Sequence, residues 1–396
     1  MSISQNFPEE GPSLNLNFAG SRTLDPRITF TRTSTATVMG REGLIEVVPA
    51  NTPRFDHSYN PATGEIESLG LLVEEQRTNL LLFSATFQPT SAGAPAAYVV
   101  DQIAPDGTLS GSRQTAASPR TFVDYYLGAN AQFTFSVYVK GVGEGIGQTI
   151  RLQLKNAASD TVIATGAFYT LTSTWTRISV TGTTSGATTG ARIEVLGPVS
   201  GAPPGTVFWG AQLEAGAFPT SYIPTSGSTA TRTADNASMT GSNFSSWFNP
   251  SEGTFFARHK IGVGRTSAGS HVYSADLDFQ NRISAQYAFL GAGANLNRFR
   301  SFVRYTGTIF GDFSPDDSAI EGIFHKTSHS YSITNTTQYL NGSIVGVGTT
   351  PTGLPVPIKF EIGKYMEIYD YLNGHISQIT YYPTAISNNN LENLTR

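Results

Sequence analysis

Short stretches of alternating apolar and polar residues recur along the chain, separated by turn residues. Leu14-Asn-Leu-Asn-Phe18, Ile28-Thr-Phe-Thr31 and Leu44-Ile-Glu-Val-Val48 carry the two-residue period of half-buried strands. Phe133-Thr-Phe-Ser-Val-Tyr-Val-Lys140, Ile150-Arg-Leu-Gln-Leu154, Phe168-Tyr-Thr-Leu171, Thr176-Arg-Ile-Ser-Val-Thr181 and Arg192-Ile-Glu-Val-Leu196 repeat it between Gly, Ser, Thr and Asn turns. Val207 to Leu213 reads as an apolar strand. Behind it come a segment punctuated by Pro219 and Pro224 and a Ser/Thr/Gly tether. Residues 253–258, 283–287, 299–304, 329–333, 338–340, 359–362 and 375–381 are the strand candidates of the C-terminal part. Only Gly70 to Phe83 suits a short helix or a buried extended arm. The pattern predicts an all-β chain: a block over 1–85, a sandwich or jelly roll over 86–224, a linker over 225–245 and a second strand-rich block over 246–396.

Composition sharpens this. The 396 residues include 40 Gly, 24 Phe and 17 Tyr, and only 14% are charged, a balance that suits strands and tight turns rather than helices. The net charge of -4, with no basic block, argues against nucleic acid as a partner. Without cysteine there is no disulfide framework, thiolate zinc site or Cys nucleophile. No apolar run reaches the roughly 20 residues that span a bilayer. The first ten residues lack the basic and apolar regions of a signal peptide, so synthesis in the cytoplasm without such a leader is expected.

Three stretches resemble known proteins. Trp209-Gly-Ala-Gln-Leu-Glu-Ala-Gly216, Phe218-Pro-Thr-Ser-Tyr-Ile-Pro-Thr225 and Thr231-Arg-Thr-Ala-Asp235 resemble a signature that closes a carbohydrate-binding-module-like jelly roll in phage virion proteins. Leu24-Asp-Pro-Arg-Ile-Thr-Phe-Thr-Arg32, Asn51-Thr-Pro-Arg-Phe-Asp-His57 and Gly70-Leu-Leu-Val-Glu-Glu-Gln-Arg-Thr-Asn-Leu-Leu81 resemble the block that precedes such modules. That resemblance implies that 1–85 is an attachment and trimerising region; alternatively, Arg27, Arg32, Arg54 and Arg77 pin loops within one subunit. The C-terminal order of motifs resembles the concanavalin A/laminin-G-like sandwich. There Asn341-Gly342 and Asn373-Gly374 would be hairpin turns, whose central residues take positive φ. Ser387 would cap a closing helix. The implied fold is an N-terminal attachment region followed by two antiparallel β-sandwiches in tandem.

The chemistry is sparse. Concanavalin-like glycosidases set carboxylates along one strand, and retaining cleavage needs the pair about 5–5.5 Å apart. Asp276-Leu-Asp278 and Glu361, Glu367 and Asp370 lack the Glu-x-Asp sequence spacing of such a strand and read as solvated loop or cation-binding carboxylates. The six histidines form no His-Glu-x-x-His, and the glycines from Gly141 to Gly147 sit between strands, not before a helix. No catalytic residue is assigned. For sugar binding, Trp209 and Trp175 read as packing residues and Trp247 as a staple between domains. The loop residues Tyr365, Tyr369, Asp370 and Tyr371 are the exposed glycan-binding candidates. Asp312, Asp316 and Asp317 could hold a structural calcium; no other cofactor is expected. The expected protein is a non-enzymatic phage tail fibre, spike or head-fibre subunit. It would be a homotrimer that contacts other virion proteins through 1–85 and host surface polysaccharide through its lectin-like domains. The alternatives are a polysaccharide depolymerase and a decoration protein that binds no sugar.

Overall fold

The computed structural model describes residues 11–60, 63–88, 90–91, 98–116, 121–125, 128–186, 190–197, 201–262, 270–289, 297–313, 321–349, 353–365 and 370–396. Among them the fold is all-β, built of antiparallel sheets. The chain forms two compact units, and neither is a continuous stretch. Unit 1 takes the chain up to Thr33, Val48–Glu75 and Thr233–Arg396; unit 2 takes Ser34–Val47 and Gln76–Arg232.

This division differs from the expected boundaries at 85, 224 and 245. The first 85 residues form no body of their own, because their strands pair with distant ones. Leu14–Asn17 runs antiparallel to Gly374–Tyr382 with Leu14 opposite Tyr381, and Glu65–Val73 pairs with the start of the same strand. Thr29–Thr31 pairs with Asn236–Thr240. The expected linker therefore holds strands: Asn236–Thr240 lies in a sheet of unit 1, and Ala230–Arg232 pairs with Arg77–Asn79 in unit 2. Gly70 to Phe83 is extended rather than helical, since Glu65–Val73 and Arg77–Asn79 are both strands.

Unit 1 is a sandwich of an eight-stranded and a seven-stranded sheet. Alternation sends Phe255, Ala257, Tyr331, Ile379 and Tyr381 inward from the first, and Tyr273, Ala275, Ile283, Tyr287, Phe299 and Phe360 inward from the second. Phe255 stacks on Tyr273 and Phe360 at centroid separations of 4.6 and 5.6 Å. Trp247, expected to staple one domain to another, packs inside this core against Phe360 and Tyr381. Asn341-Gly342 has positive φ at both residues and closes a two-residue hairpin, as expected. Asn373-Gly374 does not: its flanking strands lie in different sheets. Gly374 is needed for another reason, since a Cβ there would stand 2.2 Å from the Lys260 carbonyl oxygen. Ser387 caps the closing helix Asn388–Thr395, its side chain accepting from the Asn390 amide.

One buried ion network ties the three segments of unit 1 together. Asp235 accepts from Arg32 Nη1 at 3.0 Å and from Arg54, while Arg54 also holds Glu74 at 2.8 Å. The side chains of Arg32, Arg54 and Asp235 are fully buried. The Glu74 amide donates to Asp235 Oδ2, and the Asp235 amide to the Glu74 carbonyl, both at 3.0 Å. Burial works against the Arg54 charge, but Asp235 and Glu74 outweigh it and hold the guanidinium above its ordinary range. Arg32 and Arg54 thus pin segments within one subunit, whereas Arg27 makes only a local pair with Asp25.

Unit 2 is a two-layer sandwich of a five-stranded and a six-stranded sheet. Phe135, Val137, Phe208 and Leu213 meet Ile150, Leu152, Ile193 and Val195 in its core. The strand Thr206–Ala215 is buried through Glu214. Trp209 is fully buried against Tyr222, its indole N–H donating to Ser110 Oγ, so it is a core residue as expected. Gln212 Oε1 accepts from the Ile223 amide at 2.6 Å, and Glu214 takes both the amide and the hydroxyl of Thr220. The Gln-x-Glu of the signature is therefore what fastens the Phe-Pro-Thr-Ser-Tyr-Ile-Pro-Thr segment to its strand.

Truncating one member of a buried ion pair typically costs about 3–5 kcal/mol, against less than about 1 kcal/mol for an exposed pair. Asp235→Ala is expected to destabilise unit 1 by the larger amount and Arg27→Ala by the smaller, measured by denaturant unfolding. Equal losses would show that the network carries no special weight.

Candidate functional site

The outward face of the seven-stranded sheet in unit 1 gathers the chemistry of that unit. Three neighbouring strands set its centre: Lys359–Ile362, Ser270–Asp278 and Asn281–Phe289, with Asn297–Tyr305 beside them. Because their inward positions are apolar, strand alternation turns Lys359, Glu361, Ser274, Asp276, Arg282, Ser284, Phe302 and Arg304 to the other side. The register lines these up in rows. Lys359, Asp276, Arg282 and Arg304 stand opposite one another, as do Glu361, Ser274, Ser284 and Phe302. These outward residues are largely covered. Ser274, Ser284 and Phe302 are fully buried, and Asp276, Glu361, Arg282 and His271 nearly so.

The layer has an acidic end. Lys359 Nζ lies 3.4 Å from Asp276 Oδ1 and 3.0 Å from Glu361 Oε1, and Lys364 Nζ lies 3.2 Å from Glu361 Oε2. Burial pushes the Asp276 carboxyl up to about 6, Lys359 opposing the shift and Glu361 adding to it. Burial also works against the Lys359 charge, but Asp276 and Glu361 outweigh it and raise its pKa.

The other end is an arginine–aromatic stack. The Arg282 guanidinium lies over Tyr365 at 4.3 Å, Phe279 at 4.7 Å and Phe302 at 5.2 Å. Arg304 lies over Phe279 at 4.1 Å. Tyr365 stacks on His271, ring centroids 4.9 Å apart, and its hydroxyl accepts from Arg282 Nη1 at 2.9 Å. Burial, with the Arg282 and Arg300 charges, drives His271 well below its ordinary pKa and keeps it neutral. Several buried polar atoms make no hydrogen bond among the described residues: both ring nitrogens of His271, Arg282 Nε and Asp276 Oδ2.

The sequence candidates fall unevenly around this face. Tyr365 is part of it, but buried at 4% exposure rather than displayed on a loop. Asp370 flanks it: its carbonyl accepts from the His271 amide, and its Oδ2 is 4.0 Å from His271 Nδ1, beyond hydrogen-bond reach. Tyr371 belongs to the core, its hydroxyl donating to Asn236 Oδ1 at 2.9 Å, so the expectation of an exposed ring is corrected. Tyr369 and Glu367 lie outside the described residues, as do Asp316, Asp317 and the side chain of Asp312. Among the described residues no three acidic or histidine side chains form a metal-sized cluster. Asp276 and Glu361, expected as solvated or cation-binding carboxylates, are buried on adjacent strands. Arg282, Phe302 and Arg304 were missed, although the alternation in Phe299-Arg-Ser-Phe-Val-Arg304 already separates two faces.

No protein-family model matches the chain, and no curated protein matches it. Solved structures show a slight likeness. The CBM40 of the Ruminococcus gnavus IT-sialidase bound to alpha2,3 sialyllactose is 11% identical, with a TM-score of 0.32 over 39% of this chain and 86% of that one. The NanB sialidase from Streptococcus pneumoniae is 16% identical, with a TM-score of 0.33 over 40% of this chain and 26% of that one. Domain 4 of the extracellular arabinanase AbnA from Geobacillus stearothermophilus, in complex with arabinotriose, is 13% identical, with a TM-score of 0.32 over 45% and 82%. Likenesses this slight carry neither ligand nor activity to this chain.

The raised Asp276 pKa has a pH signature. The folded state holds this proton more tightly than the unfolded chain, so its stabilising effect is present at low pH. It is lost as the pH rises from about 4 through about 6. Unit 1 of Asp276→Asn should show a flatter decline of unfolding midpoint over that window than the native protein. Superimposable profiles would contradict the burial of a titrating Asp276.

Proposed function

We propose that this chain is a non-enzymatic subunit of a phage virion appendage that holds a host-surface glycan on the outward face of the seven-stranded sheet. One observation carries the glycan part. A layer of buried polar side chains, several with unbonded donors or acceptors, lies beside aromatic rings. A polyhydroxylated ligand satisfies such groups while its ring faces pack on the aromatics. The virion role, the homotrimer and the docking of residues 1–85 on other virion proteins are supported by the sequence resemblance.

A depolymerase is the second reading, favoured by Asp276, whose carboxyl is pushed up to about 6 by burial, beside Glu361. Against it, the Lys359 ammonium bridges the two carboxylates, an arrangement suited to holding strands together.

The labelled full chain should bind on a glycan array and compete with phage for host adsorption. Tyr365→Ala should lose at least tenfold in glycan affinity with the fold intact by circular dichroism. No binding and no competition would leave a decoration protein without sugar. Release of reducing ends from host polysaccharide, abolished by Asp276→Asn, would replace the binding reading with the enzymatic one.

A further inference from the structure

Outside the buried network of Arg32 and Arg54, three arginines hold a carboxylate by the same edge. Arg27 grips Asp25 through Nε and Nη2 at 2.9 and 2.7 Å. Arg192 grips Asp124 through the same two nitrogens at 2.6 and 2.9 Å, and Arg113 holds Asp101 through that edge as well. This is the side-on fork, in which two parallel N–H groups match the two oxygens of a carboxylate.

Arg282 uses only its other nitrogen. Nη1 donates to the Phe279 carbonyl at 2.6 Å and to the Tyr365 hydroxyl at 2.9 Å. Nε is buried and makes no hydrogen bond, and none is made by Nη2 to a described residue. Arg282 is only 6% exposed, yet it has no acidic partner among the described residues. Asp276 stands opposite it in the register, but its Oδ1 is turned to Lys359. On the other side Arg282 faces a second cation, Arg304, which also lacks an acidic partner among the described residues. Buried charge is normally paired, because an uncompensated ion far from water is costly. Three aromatic rings hold the Arg282 guanidinium in place, so its fork is preorganised. Phe279, at 48% exposure, forms the rim beside it and offers a sugar ring an apolar platform.

We infer that the Arg282 edge, with Arg304 and Phe279, is the subsite for a carboxylate-bearing sugar, so that the ligand is an acidic, uronate-type glycan. This rests on the glycan-binding reading above and narrows it. The carboxylate takes Nε and Nη2 of Arg282 bidentately, Arg304 adds charge, and the neutral His271 ring supplies a donor and an acceptor to neighbouring hydroxyls.

The test uses the intact chain in titration calorimetry against alginate, polygalacturonate and hyaluronate, each also after reduction of its carboxyls to alcohols. At least one acidic polymer should bind, and its reduced form should bind at least tenfold more weakly. Arg282→Lys keeps the charge but not the fork. It should lose at least tenfold on the acidic polymer and little on any neutral glycan. Equal binding of an acidic polymer and its reduced form overturns the carboxylate subsite and leaves the glycan reading standing. Binding to no acidic polymer while neutral glycans bind has the same meaning. Binding to nothing, acidic or neutral, removes both. The comparison of native and reduced polymers uses the unsubstituted protein, so it decides the matter even if Arg282→Lys fails to fold.

Discussion

Asp235 is the constraint on which unit 1 depends. The chain enters or leaves this unit four times, at residues 33, 48, 75 and 233. Arg32, Arg54, Glu74 and Asp235 lie within a few residues of those points and share one buried ion network. A unit assembled from three separated segments pays a high entropic cost of closure unless its segment ends are fixed. Two guanidinium groups converging on one buried carboxylate fix them with charge and direction together. Such a network is selective, because any other pairing of segments would leave a buried ion alone.

The same sandwich explains where the binding chemistry lies. Its inner faces are filled mainly by aromatic and aliphatic side chains, so the period of two turns Lys359, Glu361, Ser274, Asp276, Arg282 and Ser284 outward. On most sheets that face is solvated. Here it is covered, and the polar groups form a layer with ion pairs at one end and an arginine–aromatic stack at the other. The contrast decides their roles. Lys359 and Lys364 answer Asp276 and Glu361, whereas Arg282 and Arg304 are answered by rings and carbonyl oxygens.

Much of the secondary structure was legible because alternation is a local signal. Phe133 to Lys140, Arg192 to Leu196, Lys359 to Ile362 and the Asn341-Gly342 hairpin sit where the sequence places them. What escaped was nonlocal. Nothing near Leu14 says that its partner is Tyr381, and nothing near Arg54 says that its counter-ion is Asp235. The strand Ser270–Asp278 was overlooked because Asp276-Leu-Asp278 reads as a polar loop. Its burial follows only once Lys359 and Arg282 are known to flank it. Tyr365 and Tyr371 were read as one aromatic loop. Their rings in fact serve different neighbours, Arg282 and Asn236, which no spacing in the sequence distinguishes.

The most direct test of the working face is a crystal structure of the chain with an acidic oligosaccharide. The expected result is a sugar carboxylate bonded to Nε and Nη2 of Arg282, with the sugar ring against Phe279. A sugar seated on unit 2, or bound with the Arg282 edge untouched, would contradict it.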